Sequence, residues 1–199
     1  MTETAIHDVG LTLVSLLDNE LKNIIGADRI SLESPAEVDT GDTRLSLYLY
    51  SIIENPDLKN TQKIVIDPKT QNYPSLVLDL YYLLTSYAPD NLSPREQTQE
   101  SQRNLGRAMR LLYDNGIIGG TKLQGSLKDK PLELHVTLNP ITVEDLTRIW
   151  SVFPEQFYRT SVSYVVTPVP IESQRNLESQ RVVRKDADHD QMAPRREEV

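Results

Sequence analysis

The sequence contains no cysteine. Disulfides, thiolate metal sites and thiol nucleophiles are therefore excluded together, and the composition fits a reducing compartment. It has no run of about 18 apolar residues, so no direct membrane insertion is expected. The opening residues, Met1-Thr-Glu-Thr-Ala-Ile-His-Asp8, carry acids where a secretory signal would carry bases. Bases are scarce throughout: 21 Lys and Arg stand against 29 Asp and Glu, a formal net charge of −8. Sequence-independent nucleic-acid binding needs clustered cations and is not expected, and neither is docking on an anionic membrane. The only histidines are His7, His135 and His189, and no two of them share a metal-ligand spacing.

What the 199 residues do contain is enough apolar material for one sizeable core. Ile6, Val9, Leu13, Leu16, Leu17, Leu21 and Ile24 recur at steps of three and four, which predicts a helix ending at Gly26. Ile30 to Ser34 reads as a short strand. Arg44 to Ile53 alternates Leu45, Leu47 and Leu49 with Ser46, Tyr48 and Tyr50, a strand with one aliphatic face and one tyrosine-bearing face. Asn55 to Ser75 reads as a long loop carrying a short strand at Ile64-Val-Ile66. Ser75 to Ala88 is apolar on both faces and is expected to be a central strand. Ser93-Pro94-Arg-Glu96 is a capped helix start. That helix reaches Asp114, buries Leu105, Ala108, Met109 and Leu112, and has a polar first half expected to project beyond the core. A half-buried strand over Leu132–Leu138 follows. A short helix capped by Thr142 turns Leu146, Ile149, Trp150 and Phe153 inward, and a last strand covers Ser161–Thr167.

Residues 1–171 thus form an α+β domain with a mixed β-sheet of about five strands and helices packed on one face. Residues 172–199 are charged, with few apolar positions, and read as a disordered or extended tail. The hexapeptide Glu-Ser-Gln-Arg-Asn-Leu occurs at 100–105 and again at 172–177, but two copies on different elements make no repeat architecture.

No catalytic constellation emerges. Gly116-Ile-Ile-Gly-Gly-Thr-Lys122 fails the spacing of a phosphate loop and follows a helix, so it reads as a helix-ending loop. Ser161 and Ser163 lie on a strand without a nucleophile elbow and are expected to face solvent. His135 alternates outward and His7 sits near a helix start. Asp79 interrupts an apolar strand; a solvent-facing carboxylate, or one paired with an arginine such as Arg110, accounts for it better than a buried general acid. No cofactor is implied.

Nine tyrosines against two phenylalanines is a skewed ratio, and Tyr48, Tyr50, Tyr81, Tyr82 and Tyr87 fall on two adjacent strands. A ring with one polar tip suits a surface covered by another protein chain, and it equally suits a core whose hydroxyls reach the rim. Tyr48 and Tyr50 are the candidate partner-binding residues on the first of these readings.

Several ordered segments carry a resemblance: Leu45-Ser-Leu-Tyr-Leu-Tyr50, Leu78-Asp-Leu-Tyr-Tyr-Leu-Leu-Thr85, Leu105-Gly-Arg-Ala-Met-Arg110, Leu146-Thr-Arg-Ile-Trp150, Tyr158-Arg-Thr-Ser-Val-Ser-Tyr164 and Pro168-Val-Pro-Ile171. Together they resemble the N-terminal domain of the cap, or tail-terminator, proteins of extracellular contractile injection systems. The resemblance implies a structural protein, not an enzyme. It implies a homo-hexameric ring that ends the inner tube and the sheath and couples them at the end distal to the baseplate. The partners it implies are other copies of the chain, the inner tube protein and the sheath protein. It also implies assembly in the cytoplasm, as part of a phage-tail-like particle that is released or membrane-associated. The tail would reach the sheath by strand addition, with Arg181, Val182, Val183 and Arg184 as its β-prone piece. The alternatives are a neck or adaptor subunit joining a tail to another body, and a small hydrolase using Asp79 or His135.

Overall fold

A computed structural model describes residues 3–59, 64–67 and 70–178. The chain runs α1 (Ala5–Ile25), β1 (Ile30–Ser31), β2 (Leu45–Glu54), β3 (Ile64–Asp67), β4 (Thr70–Asn72), β5 (Leu76–Ser86), α2 (Pro94–Asp114) and β6 (Ile117–Gly119). Two single 3₁₀ turns (Gly120–Lys122 and Gly125–Leu127), β7 (Glu133–Asn139), α3 (Val143–Trp150), β8 (Ser161–Ile171) and β9 (Asn176–Glu178) complete it.

Six strands form the main sheet in the order β1-β2-β5-β8-β7-β6, one more than the five or so expected. The addition is β6, which pairs Ile118 opposite Leu134 at the sheet edge. Three residues are too few for a period-2 signal, and the glycines around them read as loop. All pairings are antiparallel except β1 with β2. A separate antiparallel ribbon joins β3, β4 and β9, so the hairpin at 64–72 recruits a strand from beyond residue 171.

β5 lies between β2 and β8 and pairs along nearly its whole length, as its two apolar faces require. Leu80, Tyr82 and Leu84 point to one face, where α1 and α2 cover them. α1 supplies Val9, Leu13, Leu17 and Leu21 at four-residue steps, and α2 supplies Leu105, Ala108 and Leu112. Leu83 points the other way and is covered by Trp150 and Phe153. Helices therefore lie on both faces, not on one: α3 is amphipathic in its own right, and the tyrosine-bearing side of β2 and β5 is the apolar surface left for it.

α1 ends where Gly26 takes φ +94° and donates its N–H to the Lys22 carbonyl at 3.1 Å. α2 starts on its predicted cap: Glu96 accepts from the Ser93 N–H at 3.0 Å and the Ser93 hydroxyl at 2.6 Å. The polar first half of α2 does not project. The Ser86 and Ser101 hydroxyls each donate to the other's backbone carbonyl, at 2.8 and 3.2 Å, and Gln97 donates to the Pro89 carbonyl at 3.2 Å. Polar bonds dock this half against the end of β5, which a search for apolar periodicity does not see. β8 tolerates Pro168 and Pro170 because its pairing with β7 stops at Thr167, leaving the proline segment as a free edge on that side.

The N-terminus of α1 is tied down by one carboxylate. Asp8, 4 % exposed, accepts from the Ser126 N–H at 2.9 Å, the Ser126 hydroxyl at 2.6 Å and the Thr4 hydroxyl at 2.8 Å. Thr12 extends the clamp, donating to the Asp8 carbonyl and accepting from the Gln124 N–H. Burial pushes the Asp8 carboxyl up, but the hydrogen bonds from Ser126 and Thr4 outweigh it and hold the group at about 2. Gly125 turns beside it with φ +60°, and a Cβ there would stand under 3 Å from both Asp8 carboxylate oxygens.

Two outcomes are expected in chemical denaturation. Asp8→Ala orphans buried donors and costs about 1–3 kcal/mol, and Gly125→Ala destabilises the same clamp. Because the folded-state pKa lies below the ordinary carboxylate value of 3.8, the Asp8 contribution is fully present above about pH 4. It is lost as pH falls through about 2, so a wild-type acid-unfolding curve should show a step in that window that Asp8→Asn lacks.

Candidate functional site

The tyrosine-bearing face of β2 and β5 is built around an irregularity. The β2–β5 register slips between Leu49 and Ser51, leaving Tyr50 as an extra residue on the α3 side. Its ring meets Tyr81 edge-on at 6.2 Å, and its hydroxyl lies 2.8 Å from the Ser163 hydroxyl. Asn139 donates to Ser163 at 3.1 Å and closes the network. Tyr48 meets Phe153 edge-on at 5.8 Å. Tyr48 and Tyr50 are both half-buried, and with Arg148, Ile149 and Val152 they line a shallow concavity beside α3. Arg181, Val182, Val183 and Arg184 lie outside the described residues.

The other tyrosines separate by face. Tyr82 is buried in the main core beside Tyr164, and burial pushes both phenols up. Tyr87 is also buried. Burial drives its phenol up to about 12 against the opposing charge of Arg159, whose guanidinium sits 4.9 Å over the ring. Tyr81 stays half-buried, raised by burial and by the nearby Asp79 charge.

Ser161 and Ser163 do not face solvent. Both are buried, Ser161 hydrogen-bonded to Thr85 at 2.9 Å and Ser163 within the Tyr50 network. Strand alternation assigns a face but not its cover: Leu83, paired opposite Ser163, is covered by Trp150 and Phe153, and Tyr50 from β2 reaches Ser163 itself. Asp79 sits at a second register slip, between β5 and β8. It accepts from Asn55 at 2.8 Å and from the Thr167 hydroxyl. Its partners are these neutral groups and not Arg110, which is an exposed residue of α2, the helix on the opposite face. His135 points outward from β7 as expected, and His7 is exposed beside Asp8. Among the described residues, no group of three His, Asp or Glu is placed to hold a metal ion, and no helix is long and apolar enough to cross a membrane.

Sequence reasoning missed one feature. An apolar groove of about 690 Å³ opens between the C-terminal half of α2 and the β6–β7 end of the sheet. Its lining includes Met109, Tyr113, Ile117, Leu138 and Tyr164. Tyr113, one turn after the half-buried Met109, was the available signal.

This arrangement of a six-stranded mixed sheet with two helices on one face and one on the other is the fold of contractile-system terminators. It matches the cryo-EM structure of an extracellular contractile injection system, the PVC sheath/tube terminator in its extended state, with TM-score 0.62 and 20% identity. The match covers 94% of this chain and 64% of that one. It also matches the cryo-EM structure of the tube-terminating cap of the anti-feeding prophage, with TM-score 0.60 and 18% identity over 90% of this chain and 59% of that one. The chain thus spans about three fifths of each protein's length, and at these identities the likeness is one of fold. No curated protein sequence matches. The Pvc16 N-terminal domain family matches residues 8–185, and the chain belongs to that family. The resemblance carried by the ordered segments is borne out at that level.

The sequence's single tryptophan, Trp150, packs edge-on against Phe153 and Tyr158 and so reports on α3 docking. Phe153→Ala should red-shift Trp150 emission and cost about 3–5 kcal/mol at most, with far-UV circular dichroism largely retained. Tyr50→Phe, which loses the hydroxyl contact to Ser163 and the longer one from Asn139 at 3.5 Å, should cost about 1 kcal/mol by urea denaturation.

Proposed function

We propose that this chain terminates a contractile injection particle, closing into a homo-hexameric ring on the last tube and sheath layers at the end distal to the baseplate. The observation that carries this reading is the family match over nearly the whole body, joined to a fold shared with two terminators. The physics agrees with it. Tube and sheath subunits stack without end, and a layer that bonds on one side while closing on itself stops that growth. In this role the chain works by shape-matched surfaces and turns over no substrate.

The tail is the proposed link to the sheath. β9 pairs with β4 and runs in extended form up to Glu178, just before Arg181-Val-Val-Arg184 in the sequence. A segment of this kind can add as a strand to a sheath subunit's sheet, with main-chain hydrogen bonds supplying affinity. Tyr48 and Tyr50, half-buried beside α3, are proposed to lie at the rim of a partner contact.

Native mass measurement should find a closed ring of the purified protein, and imaging should place it on the tube end far from the baseplate. A strict monomer that leaves both tube and sheath ends bare would sink the reading. Replacing Val182 and Val183 with proline should keep the ring mass while abolishing co-sedimentation with sheath.

A further inference from the structure

The groove between α2 and the β6–β7 end is apolar and open. Tyr113 on its rim is 86% exposed and Ile117 is 57% exposed. Large apolar side chains gathered around one concavity mark an interaction surface. Arg110 is the one charged side chain in the lining.

A projection of matching character occurs elsewhere on the same molecule. The loop at 151–160 carries Phe157, which is 90% exposed, in the segment Pro154-Glu-Gln-Phe-Tyr158. The loop is not loose at its base, because Phe153 is buried against Tyr48 and Tyr158 meets Trp150 edge-on at 5.7 Å. The aromatic ring is therefore presented by a held frame, which lowers the ordering cost of binding. Two residues before it stands Glu155, exposed like Arg110. Among the described residues neither forms an ion pair, so each is free to meet an opposite charge.

We infer that the groove of one copy receives the Phe157 loop of a second copy, with Glu155 meeting Arg110 across the contact. The inference deepens the ring reading and rests on it. The loop follows α3, on the face opposite α1 and α2, whereas the groove is bounded by α2. Projection and groove are different surfaces of one chain, so the contact is heterologous, the type that closes into rings. An aromatic anchor seated in an apolar pocket with a charged pair at its rim is the anatomy of a binding hot spot.

The experiment measures self-association of full-length chain by sedimentation and native mass, with circular dichroism confirming the fold of each variant. Phe157→Ala is expected to weaken assembly at least about tenfold. Arg110→Glu and Glu155→Arg should each weaken it severalfold, and the double reversal should restore it. Rescue by the double reversal supports the pairing. Wild-type-like rings from Phe157→Ala and from both charge variants would overturn this inference and leave the ring reading intact. Wild-type chain that stays monomeric even at tube ends would overturn the ring reading and this inference with it. A photo-reactive residue at position 138 adds a direct readout, since cross-links to peptides around 157 of another copy are expected. Capture of residues 179–199 or of a tube or sheath subunit in their place would overturn the assignment of the occupant.

Discussion

β5 is largely apolar on both faces, and from Tyr82 to Ser86 it is buried on both. A strand of that kind cannot lie on the surface or at an edge, so its neighbours and its covers follow from it. β2 and β8 satisfy its backbone on the two sides, and α1 with α2 bury Leu80, Tyr82 and Leu84. Leu83 leaves the opposite face apolar too, and α3 is present to close it with Trp150 and Phe153. Each such side chain contributes roughly 1.5–3 kcal/mol on full burial, which makes the doubly covered strand the largest single constraint on the fold.

Polar groups then fasten what burial has brought together. Asp8 joins the start of α1 to the 3₁₀ turn at Gly125–Leu127, Ser86 and Ser101 join β5 to α2, and Asp79 fills a register slip with bonds from Asn55 and Thr167. The exposed features point outward, as an apolar groove at the β6–β7 end and a projecting aromatic loop beyond α3. A groove and a projecting aromatic loop of this kind are surfaces suited to assembly.

Periodicity made α1, β2, β5 and β7 legible, and capping chemistry placed the starts of α2 and α3, because those signals are local. The rest needed partners far along the chain. β6 is defined by Leu134 across the ladder, not by its own three residues. Ser161 and Ser163 alternate as expected, but whether their face is wet depends on partners from other segments, Thr85 of β5 and Tyr50 of β2. Tyr48 and Tyr50 were visible as an unusual pair, whereas their partial cover by α3 was not. Of the proposed interface, the sequence showed Phe157 as one of two phenylalanines, but the groove exists only where α2 and the sheet end meet.

One pair of identical segments separates the two kinds of information. Glu-Ser-Gln-Arg-Asn-Leu at 100–105 is helical within α2, and the same six residues at 172–177 run extended into β9. Local preference is the same in both, so it decided neither. The first copy follows a serine–proline cap and buries Asn104 and Leu105 against the core, which favours continuing the helix. The second follows the proline-bearing end of β8 and finds unpaired backbone on β4. Sequence by itself determined the doubly apolar strand, the amphipathic helices and their caps, because these follow from neighbours a few residues apart. Which face each helix covers, and which state an ambivalent polar segment adopts, were decided by tertiary contacts, since the free energies separating those states come from burial and pairing with distant residues.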